Sequence, residues 1–150
     1  MNKSVILAGC GNMGFAMLKG WIDGGVLESG HVSVVEPNEA LRVRAHGLGV
    51  RAIASVAELN PAHVPTLVVI AVKPQSMASV LPDYADMAKR GTAFLSVAAG
   101  IPLKAYETAL GANAAIVRCM PNTPAAIGKG MLVYFNNANV GEALDLFIRE

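Results

Sequence analysis

Ser4-Val5-Ile6-Leu7-Ala8-Gly9-Cys10-Gly11-Asn12-Met13-Gly14 is the stretch from which the architecture follows. Ser4 to Ala8 is a short apolar run, the signature of a strand buried on both faces, and it stops at a glycine cluster of the form GxGxxG. Beyond the cluster apolar residues recur at helical spacing, at Met13, Met17 and Trp21 and again at Leu18 and Ile22, until Gly24-Gly25. A strand, a glycine-rich turn and a helix, in that order, open a βαβ unit of the dinucleotide-binding kind. The first glycine permits the tight turn, the second lets backbone approach a pyrophosphate, and the third lets the helix pack on the strand. The helix N-terminus then offers unpaired N–H groups to the anion. A glycine-rich turn without any ligand is the competing reading. Cys10 reads as a small residue accommodated in the turn rather than as a reactive thiol, and Met13, Met17 and Trp21 read as core packing.

The rest of the chain repeats the alternation. Val32 to Val35 is a strand, Asn38 caps a helix through Ala45 that Gly47 ends, and Ser55-Val56-Ala57-Glu58 matches a capping box. Leu67 to Val72 is the clearest strand. It is closed by Lys73-Pro74 and followed by a helical stretch from Gln75 to Lys89 that Pro82 kinks or splits, with Gly91 at its end. Ala93 to Val97 is a strand, Pro102 starts a helix to Leu110, and Ala115 to Cys119 is a strand that runs into Met120-Pro121-Asn122-Thr123-Pro124. Met131 to Phe135 is a further candidate strand. The pattern predicts an α/β fold: a doubly wound, mostly parallel sheet with helices on both faces. Val140 to Glu150 reads as a helix with an apolar stripe and no capping residue, which leads us to expect more chain beyond residue 150.

Composition narrows the function classes. The chain has 150 residues, 53% hydrophobic and 15% charged, with a net charge of +1, which describes one globular domain over residues 1–150. No basic run offers a footprint for nucleic acid. No apolar stretch reaches the length of a membrane span, and no cleavable leader is legible, so a cytoplasmic protein is expected. Cys10 and Cys119 stand apart, without a second Cys or His at ligand spacing, so no metal site is expected. His31, His46 and His63 have no carboxylate or Cys at useful spacing and read as surface histidines.

A doubly wound sheet binds its ligand outside the carboxyl ends of its strands. Glu36 follows the second strand, where a carboxylate would accept hydrogen bonds from adenosine ribose hydroxyls and favour NAD over NADP. Arg42 or Arg44 reaching back would instead hold a 2′-phosphate if Glu36 faces solvent, and a plain solvated strand end is the third reading. Lys73 supplies a cation at the same edge, or is an ordinary loop lysine. Ala98-Ala99-Gly100 leave room for a nicotinamide and its ribose. The Met120-Pro121-Asn122-Thr123-Pro124 stretch either aims Asn122 and Thr123 at that edge or is a turn whose side chains cap backbone.

Gly9-Cys10-Gly11-Asn12-Met13-Gly14, Ala71-Val72-Lys73-Pro74-Gln75, Ser96-Val97-Ala98-Ala99-Gly100 and Arg118-Cys119-Met120-Pro121-Asn122-Thr123-Pro124 together resemble the pyrroline-5-carboxylate reductases, in order and over nearly the whole chain. The resemblance implies hydride transfer from NADPH or NADH to the C=N carbon of 1-pyrroline-5-carboxylate, giving L-proline, the last step of proline biosynthesis. Carried over by position, Ala8, Gly9, Cys10, Gly11, Asn12, Met13 and Gly14 meet the pyrophosphate, and Val35, Glu36 and Pro37 lie at the adenosine end with Ser55 near its ribose. Ala71, Val72, Lys73 and Pro74, with Val97, Ala98 and Ala99, line the nicotinamide half, and Met120, Asn122 and Thr123 lie on the substrate side. Lys73 and Asn122 are expected to orient nicotinamide ribose or substrate rather than to act as acid or base. The family favours NADP, and Glu36 departs from the small or polar residues common at its position and favours NAD.

The family also carries a C-terminal helical domain that builds the dimer, contacts the substrate carboxylate and supplies the proton-delivering hydroxyl. This chain resembles only the N-terminal half. It is therefore expected to hold cofactor with little or no turnover alone, as a monomer or weak dimer, with no catalytic residue assigned. Two rivals share the glycine motif: a β-hydroxyacid dehydrogenase-like reductase, against which the Met-Pro-Asn-Thr-Pro stretch argues, and a non-enzymatic NAD-sensing regulatory domain.

Overall fold

The computed structural model describes residues 4–25, 27–59, 64–97, 101–121 and 132–136, the backbone alone for 119–121 and 132–136. Strands β1 (Val5–Ala8), β2 (Val32–Val35), β3 (Arg51–Ile53), β4 (Leu67–Ile70), β5 (Ala93–Ser96), β6 (Ile116–Pro121) and β7 (Leu132–Asn136) form one seven-stranded sheet in the order β3-β2-β1-β4-β5-β6-β7. β7 pairs antiparallel with β6, and every other pair is parallel. The helices are α1 (Asn12–Asp23), α2 (Glu39–His46), α3 (Met77–Val80), α4 (Ala85–Lys89) and α5 (Leu103–Leu110). The doubly wound sheet expected from the alternation is present.

Strand residues alternate between two cores, as a period of two requires. Ile6, Val68, Ile70, Phe94 and Ile116 face one layer with Met77, Leu81, Tyr84, Tyr106 and Leu110. Val5, Leu7, Val34, Val69, Leu95 and Val117 face the other with Leu18 of α1 and Ala45 of α2. All four residues of β1 are buried, which is why the strand reads as an unbroken apolar run. Trp21 and Met17 pack against this second core, whereas Met13 is 38% exposed. The core role read for Met13 is thus corrected: in the first turn of α1 it is Gly14 that packs toward β1, and Met13 beside it is left exposed.

Other boundaries differ for identifiable reasons. Asn38 caps α2 as expected, its Oδ1 accepting from the Leu41 N–H at 3.2 Å. The stretch after Lys73 is split, with a 3-10 turn at Leu81–Tyr84 that carries Pro82 between α3 and α4. Pro102 is the N-cap of α5 rather than its first helical residue. β4 and β5 each stop short of the ends read from the sequence, because the row Ala8, Val35, Ile70 and Ser96 closes the parallel register together. Met120 and Pro121 belong to β6 rather than to a turn. β5 pairs only as far as Arg118, and β7 pairs on through Pro121, so the antiparallel partner keeps the chain extended. β3, where the sequence pattern locates no strand, is a three-residue edge strand. The helix read over Val140 to Glu150 lies outside the described residues.

Candidate dinucleotide site

The register that aligns the strands also aligns the residues just beyond them. Gly9, Glu36, Ala71 and Val97 each come one residue past a strand end. Each donates its N–H to the neighbouring strand: Gly9 to the Val35 carbonyl at 2.9 Å, Glu36 to Ile53 at 2.8 Å, Ala71 to Ala8 at 2.8 Å and Val97 to Ile70 at 3.1 Å. Four of the segments singled out in the sequence therefore share one carboxyl edge. β1 sits between β2 and β4, where the chain reverses its direction of travel across the sheet, and such a switch point opens a crevice for ligands.

Gly9 and Gly14 sit where no side chain fits, as their spacing requires. Gly9 has φ +94°, and a Cβ there would meet the Ala71 carbonyl and Val72 Cγ1 at 3.0 Å. A Cβ on Gly14 would collide with the Gly9 carbonyl oxygen, so α1 approaches β1 more closely than any side chain allows. Gly11 is the opposite case: a Cβ there would have nothing within 4 Å. Gly11 is the N-cap of α1 with no side-chain cap, and no acidic residue sits in the first turn. The Phe15 N–H to Gly11 carbonyl bond, 2.8 Å, is the first of the helix, which leaves the earlier N–H groups without intrahelical acceptors. Two glycines that exclude a side chain and one that opens onto free space make a cradle that fits a dinucleotide pyrophosphate.

Glu36 is 8% exposed, which removes the solvated strand end as a reading of this residue. Its Oε1 accepts from the Cys10 N–H at 2.8 Å and its Oε2 from the Asn38 N–H at 3.0 Å, so the carboxylate turns inward onto the glycine loop. Arg42 does reach back, but Nη1 donates to the carbonyls of Glu36 and Pro37 at 2.9 and 2.7 Å. Arg44 lays its guanidinium 4.2 Å from the Phe15 ring centroid and donates from Nη2 to the Cys10 carbonyl at 3.1 Å. These contacts were not legible in the sequence, which offered the two arginines only as phosphate ligands. Cys10 itself is fully buried. Burial pushes its thiol up, the Arg44 charge opposing and the Glu36 charge adding, so it is a packing residue as expected.

Among the remaining expectations, Val35 is buried at the end of β2 and Pro37 is exposed beside it. Ser55 stands just past β3 and is held in a capping box with Glu58, whose Oε2 accepts from the N–H groups of Ala54 and Ser55 at 2.8 and 3.1 Å. Lys73 is exposed and caps the 3-10 turn that begins at Pro74, and its ammonium has no partner among the described residues. Val97 is half-buried one residue past β5 and packs against the core that holds Leu18, while the Ser96 and Tyr106 hydroxyls hydrogen-bond in the core. Ala98, Ala99, Asn122 and Thr123 lie outside the described residues, as does His63, and of Met120 only the backbone is described. His31 and His46 are exposed. Among the described residues no group of three or more His, Cys, Asp or Glu side chains gathers as metal ligands, and no helix is long and apolar enough to cross a membrane.

Residues 3–100 match the family model described as NADP oxidoreductase, coenzyme F420-dependent. The chain belongs to that family. Within this oxidoreductase family its relatives carry the name read from the sequence motifs. The chain is 36% identical over 141 residues to the pyrroline-5-carboxylate reductase of Escherichia coli K12, covering 93% of this chain and 52% of that protein. Among solved structures, a pyrroline-5-carboxylate reductase from Coxiella burnetii superposes with a TM-score of 0.89 at 25% identity, over 99% of this chain and 54% of that one. The pyrroline carboxylate reductase of Plasmodium falciparum, solved with NADP bound, gives 0.81 at 25% identity, over 98% and 53%. The chain spans about half the length of the relatives it matches.

Proposed function

We propose that this oxidoreductase chain is the dinucleotide-binding domain of a reductase that converts 1-pyrroline-5-carboxylate to L-proline. The observation that carries the reading is the Gly9-Gly11-Gly14 cradle at the switch point of the sheet. It is supported by the name shared among the relatives and by the NADP bound in the Plasmodium protein. A bound nicotinamide dinucleotide supplies a hydride for the imine carbon. NADPH is the proposed donor, with NADH a second donor that Glu36 favours.

The chain's own residues do the binding and orienting. Residues 8–14 receive the pyrophosphate on backbone N–H groups, with Ala8 ending β1 beneath them and the exposed Asn12 and Met13 at the mouth of the cradle. Val35, Glu36 and Pro37 form the adenosine end, with Ser55 one strand further along. Ala71, Val72, Lys73, Pro74 and Val97 line the nicotinamide half, and by their place in the motifs Ala98 and Ala99 are assigned to it and Met120, Asn122 and Thr123 to the substrate side. Lys73 orients the ligand through its exposed ammonium. Protonation of the product nitrogen and capture of the substrate carboxylate need groups outside these residues, so the 150-residue chain binds cofactor and turns over little alone.

Loss of NADPH absorbance with 1-pyrroline-5-carboxylate tests the reading on this chain and on a fusion carrying the C-terminal half of the Escherichia coli reductase. Binding of NADPH by both with turnover only in the fusion is expected. Turnover by the isolated chain overturns the division of labour. Failure of the isolated chain to bind either dinucleotide overturns the cofactor assignment, and turnover of a β-hydroxyacid instead of the imine overturns the substrate.

A further inference from the structure

We propose that Arg44 is a positioning residue of the dinucleotide site, one that aims the Gly11 N–H at the pyrophosphate by holding the carbonyl on the other side of the same peptide. The inference rests on the cofactor reading above. Cys10 is gripped on both of its peptide groups. Glu36 accepts from its N–H, which fixes the Gly9–Cys10 peptide, and Arg44 donates to its carbonyl, which fixes the Cys10–Gly11 peptide. A trans peptide is planar, with N–H and C=O on opposite sides. The Gly11 N–H therefore leaves the peptide on the side away from Arg44. That N–H has no partner among the described residues, and the space beside the Gly11 α-carbon is open.

Arg44 reaches this carbonyl from α2, and its approach is set by contacts that have nothing to do with a ligand. Its guanidinium lies over Phe15 of α1, a stacking geometry that a planar cation adopts well. Arg42, two residues earlier, is committed to the Glu36 and Pro37 carbonyls, which steadies the turn that delivers Glu36. The loop is thus shaped by α2 before any anion arrives, and preorganisation of this kind lowers the ordering cost of binding. The two arginines act on backbone, through Cys10 and Glu36, rather than on a 2′-phosphate.

The test is the affinity of the 150-residue chain for NADH, NADPH and ADP-ribose, measured by calorimetry, together with the Gly11 amide resonance in a proton–nitrogen spectrum. Arg44→Met keeps an unbranched stem over Phe15 and removes the donor. It is expected to weaken all three ligands by a similar factor, on the order of tenfold for one charge-assisted hydrogen bond, and to move the free-state Gly11 amide signal. Arg44→Lys, which restores one donor, is expected to recover part of both effects. Should Arg44→Met fail to fold, Arg44→Lys alone decides by the same readouts, with an intermediate loss shared by the three ligands expected.

Loss confined to NADPH overturns the proposal and makes Arg44 a direct phosphate ligand. Unchanged affinities, or an unmoved Gly11 amide, also overturn it. If the unaltered chain binds none of the three ligands, the cofactor reading fails and takes this role with it. Binding by the unaltered chain with no effect of either substitution sinks the role of Arg44 alone.

Discussion

Gly14 is packed so tightly on Gly9 that a single added methyl would occupy the space of the Gly9 carbonyl oxygen. The obstacle is backbone, not the end of a flexible side chain, so a larger residue must push α1 away from β1. Gly14→Ala is expected to cost about 1–3 kcal/mol of folding stability, the range for overpacking a close contact. NADPH affinity should fall with it, because the first turn of α1 carries the cradle. Urea unfolding and calorimetry on the same preparation check both.

Glu36 places a carboxylate at the end of β2, the proposed adenosine end, while spending both oxygens on backbone N–H groups. A 2′-phosphate arriving there meets a like charge. Glu36→Gln is expected to raise the affinity for NADPH relative to NADH by about fivefold, the factor that roughly 1 kcal/mol of repulsion through water corresponds to. The ratio of dissociation constants in the variant and the unaltered chain measures it.

Tyr84 is 1% exposed, and its hydroxyl has no hydrogen-bond partner among the described residues. Burial pushes its phenol well above the ordinary value of 10.0, and the Asp83 charge adds to the shift. The fold therefore holds the phenolic proton more tightly than the unfolded chain does. By linkage this contribution to stability is fully present below about pH 10 and is lost as the pH rises beyond it. Tyr84→Phe should stabilise the chain at neutral pH by up to ~1 kcal/mol, since an unsatisfied buried hydroxyl is removed and the ring kept. It should also flatten the alkaline decline, as urea unfolding at neutral pH and at about pH 11 would show. Tyr106, raised by burial against the opposing effects of Ser96 and Arg118, leaves a residual slope.

Cys10 is sealed in the core beneath the glycine loop, with its thiol raised by burial. Alkylation of the peptide that contains it, followed by mass spectrometry, is expected to proceed only at the rate of unfolding. Rapid labelling in the native chain at neutral pH would show that the loop opens far more often than its hydrogen bonds suggest.

Whether a feature is legible in the sequence depends on the reach of its signal. The tight packing at Gly9 and Gly14 was legible because glycine marks where backbone must come close. Strands β1 and β4 were legible because burial on both faces writes itself as an unbroken apolar run, and β2 and β5 because only a single serine interrupts theirs. β3 was not, because three residues that begin with the exposed Arg51 and pair on one side carry almost no pattern. Met120 and Pro121 were misread because their extension depends on β7, a partner later in the chain. At Glu36 the sequence left three readings open, and the deciding contact is with a backbone N–H 26 positions away in the chain. The inward carboxylate and the arginine grip on Cys10 are tertiary facts that no local pattern encodes.

β1 is the first strand in the chain and an interior strand of the sheet, pairing Val5 with Val32 on one side and with Leu67 on the other. Its second flank stays open until residues 67–70 have been synthesised and brought back past two intervening strands. Distant parallel pairings of this kind must meet loop-closure entropy before any contact rewards them. During synthesis a strand that is apolar along its whole length therefore waits for cover on one flank until β4 emerges. A nascent chain of this design depends on β4 emerging promptly, and slowed translation before residue 67 would lengthen the time in which β1 can pair with the wrong neighbour.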